Sequence, residues 1–219
     1  MELVIFDLDG VIISTDEYHY QAWKEISDKH GLVFNRNLNH TLRGVSRNES
    51  LKLIIKHNKT SIDDQTFNSL LNEKNNIYRN LLLNINKSHI LEGTLELLAD
   101  LKEKNIKIAI GSSSKNAELI LRKIKLIDEF DIVIDGTKII SSKPDPEVFT
   151  KSADALNIKY ENCLVFEDAE AGVFAAKAAN MKVIGVGKRL EQVTKFCVDS
   201  LSELNYEKIN DIFIQEDLK

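Results

Sequence analysis

The sequence predicts an α/β fold: a Rossmann-like parallel sheet flanked by helices, with a helical cap domain inserted after the first strand. Three observations carry the prediction. Short apolar runs recur at Leu3–Phe6, 106–110, Ile132–Ile134, 163–166 and 183–186, and the later ones are separated by helical patterns at 94–104, 116–124, 146–156 and 169–179. Between Phe6 and Ile106 no strand is legible, only helical text. Polar and charged residues stand directly after the apolar runs, where an open parallel sheet binds its ligands.

Taken in order, the first run ends in Asp7-Leu8-Asp9-Gly10. Alternate residues of an extended chain point the same way, so both carboxylates can face one site, and Gly10 permits a sharp turn beside a ligand. Two crowded carboxylates repel unless a cation lies between them or one is protonated. Mg²⁺ takes oxygen ligands and leaves positions for water and phosphate. The suggested chemistry is phosphoryl transfer, with one Asp as nucleophile and the other as acid/base. An Asp-rich turn is the alternative that this motif alone leaves open.

The insertion follows. Residues 18–30 read as a helix stopped at Gly31, residues 48–57 as a second, and a third begins near Ser61 as N-cap, with Asp63 and Asp64 in its first turn, and runs to about 83. The insertion leaves the core near residues 14–16 and returns near 87–92. This divides the chain into a core of residues 1–14 and 91–219 and a cap of residues 15–90.

After the second run come Gly111-Ser112-Ser113-Ser114-Lys115-Asn116, where a hydroxyl and free N–H groups at a helix start form an anion site; Ser114 or Asn116 capping that helix is the simpler reading. After the third come Lys143-Pro144-Asp145-Pro146, with the only two prolines of the chain, and a cis bond at Lys143-Pro144 is possible. The fourth ends in Glu167-Asp168, then Ala171-Gly172 within a helix start. Acidic residues at two strand ends, not one, point to a metal between them.

Composition narrows the classes. With 219 residues, 43% hydrophobic and 29% charged, the chain is an ordinary globular protein. A net charge of −5 without a basic run argues against a nucleic-acid partner. No apolar run approaches membrane-spanning length and no secretory signal is visible, so a cytoplasmic home without membrane contact is expected. Cys163 and Cys197 lack metal spacing, and Cys163 reads as a small core residue. A monomer acting on small molecules is expected.

In order and spacing, Asp7-x-Asp9-Gly10, Ser112, Lys143 and Glu167-Asp168 resemble the four motifs of the haloacid dehalogenase-like phosphotransferase superfamily over nearly the whole chain, and the insertion resembles its small cap. Thr15-Asp16-Glu17-Tyr18-His19, Ala22-Trp23-Lys24, Leu42-Arg43-Gly44-Val45-Ser46-Arg47 and Ser112-Ser113-Ser114-Lys115-Asn116 resemble the β-phosphoglucomutases within it. Ala169 departs from that pattern, where a hydroxyl residue is frequent.

The resemblance implies Asp7 as nucleophile, Asp9 as acid/base, and Mg²⁺ held by Asp7, the Asp9 carbonyl and Asp168 with Glu167 beside them. Ser112 and Lys143 would bind the transferring phosphoryl group. Arg47, Ser114 and Asn116 would hold the distal phosphate. Thr15, His19, Trp23, Arg43, Gly44, Val45, Ser46, Lys74, Ser113 and Lys115 would complete a site for sugar phosphates, with Thr15 and residues 87–92 as hinges. The implied reaction interconverts β-glucose 1-phosphate and glucose 6-phosphate through a 1,6-bisphosphate. A Mg²⁺-dependent sugar-phosphate phosphatase and a non-catalytic metabolite sensor are the rival readings.

Overall fold

The computed structural model describes residues 1–215. Six parallel strands, β1 (Leu3–Phe6), β2 (Lys107–Gly111), β3 (Ile132–Ile134), β4 (Cys163–Glu167), β5 (Lys182–Val186) and β6 (Cys197–Val198), form one sheet in the order β3-β2-β1-β4-β5-β6. The helices are α1 (Asp16–Lys29), α2 (Arg36–His40), α3 (Arg47–His57), α4 (Asp64–Leu81), α5 (Thr94–Glu103), α6 (Ala117–Lys123), α7 (Glu147–Ala155), α8 (Glu170–Ala178) and α9 (Tyr206–Ile214).

β1 lies at the centre, with Leu3 paired to Lys107 on one side and to Cys163 on the other. All four of its residues are fully buried, as expected for a strand covered on both faces. The period of two then sorts them: Val4 and Phe6 join one apolar layer, Leu3 and Ile5 the other. Phe6 stacks on Phe166 of β4 with ring centroids 5.1 Å apart. This packing brings the carboxyl ends of β1, β2 and β4 level, and the polar residues beyond them converge.

The insertion has an apolar centre of its own, built from Trp23, Ile26, Phe34, Leu51, Ile54 and Leu70. Two stretches of chain connect it to the sheet, and they are hydrogen-bonded to each other: Leu91 N–H donates to the Ile12 carbonyl at 3.0 Å and Ser14 N–H to the His89 carbonyl at 3.4 Å. Gly10, at φ +87°, turns the chain out of β1, and its N–H donates to Ile13.

Several expectations are corrected. Ser61 does not cap α4; Asp63 does, accepting from Thr66 N–H at 2.7 Å. The carboxylate of Asp63 competes better for free N–H groups than a hydroxyl two residues earlier, which lies outside the helical turn. α1 begins two residues earlier than the periodicity indicates, because Asp16 and Glu17 occupy a first turn that carries no apolar residue. α2 and β6 were not foreseen: five and two residues are too few to establish a period. Cys163 is a buried core residue as expected, and Lys143-Pro144 is cis.

Candidate active site

Three carboxylates meet at the carboxyl ends of β1 and β4: oxygens of Asp7, Glu167 and Asp168 all lie within 4.8 Å of one another. Lys143, from the loop between β3 and α7, reaches in and donates to Asp7 Oδ1 and Glu167 Oε1. Its side chain is fully enclosed, with Nζ 4.8 Å from the centre of the Phe149 ring. Burial alone would lower its pKa, but Asp7 and Glu167 outweigh it and hold the ammonium charged well above the usual lysine range. Glu167 uses its second oxygen to accept the Ala169 N–H at 2.9 Å. Burial pushes Glu167 upward, against the pull of Lys143. Asp168 is likewise pushed upward, first by burial and then by Asp7. An all-oxygen donor set with this surplus of negative charge suits Mg²⁺.

Asp9 lies beside this cluster and accepts from the Thr15 hydroxyl. Burial, then the charge of Asp7, push its pKa up to about 7, with Thr15 opposing. A carboxyl poised near neutrality can both donate and accept a proton at physiological pH. Beyond β2, Ser114 N–H donates to Ser112 Oγ at 3.1 Å and Asn116 N–H to Ser114 Oγ at 3.2 Å, so the loop folds on its own hydroxyls. Asn116 starts α6 without a side-chain capping bond; its amide instead donates to Asn75 of α4 at 3.0 Å. The Ser113 hydroxyl is buried without a partner among the described residues.

Between the insertion and these groups lies a cavity of about 1090 Å³. Its contribution is cationic. Lys74 is buried, lies 2.9 Å from His19 Nδ1, and sits over the Trp23 and Tyr78 rings at 5.0 and 4.5 Å. Burial, then Arg47, depress Lys74 to about 7, with Asp9 opposing; burial, then Lys74 and Arg47, keep His19 neutral. Arg43 donates to Asp16 at 2.6 Å, and its Nε is buried without a partner among the described residues. Arg47, the first residue of α3, is partly buried with no acidic partner among the described residues. Ser46 caps α3 through Glu49 N–H. Gly44, at φ +74°, brings its backbone so close to Ala169 that a Cβ would lie 2.7 Å from the alanine methyl.

Every residue that the sequence nominated lines this cavity, with one exception: Glu167 lies beneath it, fully enclosed. Two more emerge. Asn75 ties α4 to Asn116, and Arg189, after β5, grips Asp168. Arg189 had a legible signal, since it follows a fifth apolar run in a sheet whose strand ends converge.

The haloacid dehalogenase-like hydrolase profile matches residues 4–186. The chain belongs to that family. A haloacid dehalogenase-like relative from Bacillus subtilis, a β-phosphoglucomutase, is 42% identical over 190 residues, covering 86% of this chain and 84% of its own. The crystal structure of β-phosphoglucomutase from Clostridium difficile superposes with a TM-score of 0.93 at 40% identity, covering 97% of each chain. The phosphorylated carbohydrates phosphatase of Thermotoga maritima is 31% identical over 186 residues, covering 84% of each chain. No helix among the described residues is long and apolar enough to cross a membrane.

Proposed function

We propose that this protein is a β-phosphoglucomutase, acting with Mg²⁺ on small sugar phosphates in the cytoplasm. The observation that carries the reading is Arg47. A partly buried guanidinium without an acidic partner among the described residues, on the cap side of a cavity whose core side holds Asp7, is suited to a second anion. A monophosphate hydrolysed by water needs one phosphate site; a bisphosphate that turns over needs two.

The residues divide the work accordingly. Lys143 occupies Asp7 Oδ1, which leaves Oδ2 free to attack phosphorus. The result is an aspartyl phosphate, its P–O bond to Asp7 formed as the bond to the departing oxygen breaks. Asp9, near half-protonated at neutral pH, gives a proton to the departing sugar oxygen and takes one from the attacking hydroxyl in return. Ser112 and Lys143 bind phosphoryl oxygens. Asp7, Asp168 and the Asp9 carbonyl would hold Mg²⁺, with Glu167 fixing Lys143 beneath them; when bound, the ion would offset the charge that grows on the phosphoryl group. Arg47, with Ser114 and Asn116, grips the phosphate that is not reacting. Two orphaned donors, the Ser113 hydroxyl and Arg43 Nε, are available to the sugar or its phosphates. Closure excludes water and favours a sugar hydroxyl as acceptor. Thr15 and residues 87–92 serve as hinges between the core (1–14 and 91–219) and the cap (15–90); residues 216–219 of that core lie outside the described residues.

Two activities measured side by side on Arg47→Ala test this. Conversion of β-glucose 1-phosphate to glucose 6-phosphate, primed with bisphosphate, is expected to fall by at least the ~1.5–3 kcal/mol of a hydrogen bond to a charged group. Hydrolysis of acetyl phosphate, which has no second phosphate, is expected to change little. Arg47→Lys restores part of the loss, because a point charge cannot supply the guanidinium fork. Unchanged mutase turnover, or wild-type protein that only releases phosphate, turns the reading to a sugar-phosphate phosphatase.

A further inference from the structure

Arg189 has no part in the scheme above, and it makes the only side-chain hydrogen bonds to Asp168 among the described residues. Its Nε donates to the Asp168 carbonyl at 3.0 Å, Nη2 donates to the same carbonyl, and Nη2 also donates to Asp168 Oδ2. The grip therefore holds both the backbone and the carboxylate of a residue that offers an oxygen to the three-carboxylate cluster.

The base of Arg189 is firm. Gly187, at φ +105°, turns the chain at the end of β5, and its N–H donates to the Val198 carbonyl at 2.7 Å. Leu190, the next residue after Arg189, is fully buried, and its N–H closes the turn onto Gly187 at 3.1 Å. The side chain spans from the end of β5 to the end of the neighbouring β4, and it forms part of the cavity wall.

Two opposite consequences for a cation at Asp168 are conceivable, and their sizes decide between them. The arginine orients the carboxylate, which helps an ion. It also occupies Oδ2 and places a full positive charge against the carboxylate that would hold the ion, which opposes one. Asp has only two side-chain torsions, so little freedom is lost by fixing it. A like charge at hydrogen-bond distance from a ligand oxygen acts on a dication with twice unit strength. With Arg189 about two-fifths exposed, solvent weakens this repulsion without removing it.

We propose that Arg189 is a positioning residue that acts as the built-in counter-cation of the metal site: it pairs Asp168 when no divalent ion is present and competes with that ion for Oδ2. The ion and the guanidinium exchange at one oxygen, and the acidic cluster never stands without a cation on Asp168. This rests on the reading of Asp7, Glu167 and Asp168 as the metal cluster, not on which sugar phosphate is turned over.

The test is calorimetric titration of the full-length protein with MgCl₂, without sugar phosphate, on wild type, Arg189→Met and Arg189→Lys. Arg189→Met is expected to bind Mg²⁺ more tightly, by about three- to tenfold, where tenfold corresponds to ~1.4 kcal/mol. Arg189→Lys keeps the charge and is expected to lie between Arg189→Met and wild type. Without the ion, Arg189→Met is expected to melt lower than wild type, and to gain more in melting temperature from saturating Mg²⁺. Arg189→Gln, a second neutral variant, carries the titration if Arg189→Met does not fold. Equal or weaker Mg²⁺ binding in the neutral variants overturns the proposal while the metal site stands. No Mg²⁺ binding by wild type overturns the metal reading itself, and the proposal with it.

Discussion

Replacing Asp7 with Asn keeps the size of the side chain and an acceptor for Lys143, but removes the charge that makes its free oxygen a nucleophile and a ligand. Asp7→Asn is therefore expected to show no turnover and no covalent phosphorylation by bisphosphate in mass spectrometry. Its unfolding free energy is expected to stay within ~1 kcal/mol of wild type, since one of several crowded carboxylates is neutralised and Glu167 still pairs Lys143. Phosphorylation of the variant at near wild-type level ends the covalent scheme. Lys74 shows its environment through pH. With its pKa depressed to about 7 in the folded protein and ordinary in the unfolded chain, the unfolded state binds the extra proton between pH 7 and the ordinary lysine range. Stability contributed by this site therefore rises with pH across that window, and below pH 7 the cost of burying the charged amine is fully present. Lys74→Met lacks this rise. The gain in unfolding free energy from pH 7 to 9 is expected to be smaller than in wild type by about 2 kcal/mol, at 1.36 kcal/mol per unit. Denaturant titrations at the two pH values check it; identical gains refute the placement of a buried, shifted amine.

At the scale of elements, the start of α8 fits β4 with no space between them. A Cβ on Gly172 would land on the Glu167 carboxyl, the group that holds Lys143. Gly172→Ala is expected to destabilise the protein by ~1–3 kcal/mol in urea unfolding and to lower activity by moving Lys143. Gly10 is constrained twice, by φ +87° and by the Asp168 carboxylate against which a Cβ would press. The five main strands were legible because each is a short apolar run bounded by turns, and their covered faces admit charged residues only at the strand ends, as at Lys107, Glu167 and Lys182. Their ends, and α7 and α8, differ from the expected bounds by a residue at most. β6 was not legible: its residues are half-buried, and its pairing to β5 is made by backbone rather than by side-chain pattern. The cap of α4 was misplaced because Ser61 and Asp63 are both good caps in sequence; only the geometry of the first turn separates them.

For the molecule as a whole, the cap meets the core near the cavity through the Asn75–Asn116 hydrogen bond and the close, apolar approach of Gly44 to Ala169. Asn75→Ala is expected to cost closure ~0.5–1.5 kcal/mol, raising the radius of gyration in solution scattering and the KM for sugar phosphates, with stability nearly unchanged. No response of scattering or of Trp23 fluorescence to substrate plus Mg²⁺, in either form, removes gating from the scheme. The candidate site was legible in outline, since Asp7, Ser112 and Asp168 directly follow strands and Lys143 lies in the loop after β3. Asn75 was not, because it sits mid-helix among polar residues and acquires meaning only from the docking of α4 over α6. The central position of β1 has a further effect, on synthesis. Its neighbours β2 and β4 lie ~100 and ~160 residues later in the chain. At roughly 5–20 residues per second on the ribosome, this fully apolar strand waits about 5–20 s for its first partner. The insertion, whose apolar centre is built from residues 23–70, can collapse in that interval. Newly made chains therefore carry Leu3–Phe6 without a sheet partner until β2 emerges, an apolar segment that invites pairing with another chain in the meantime.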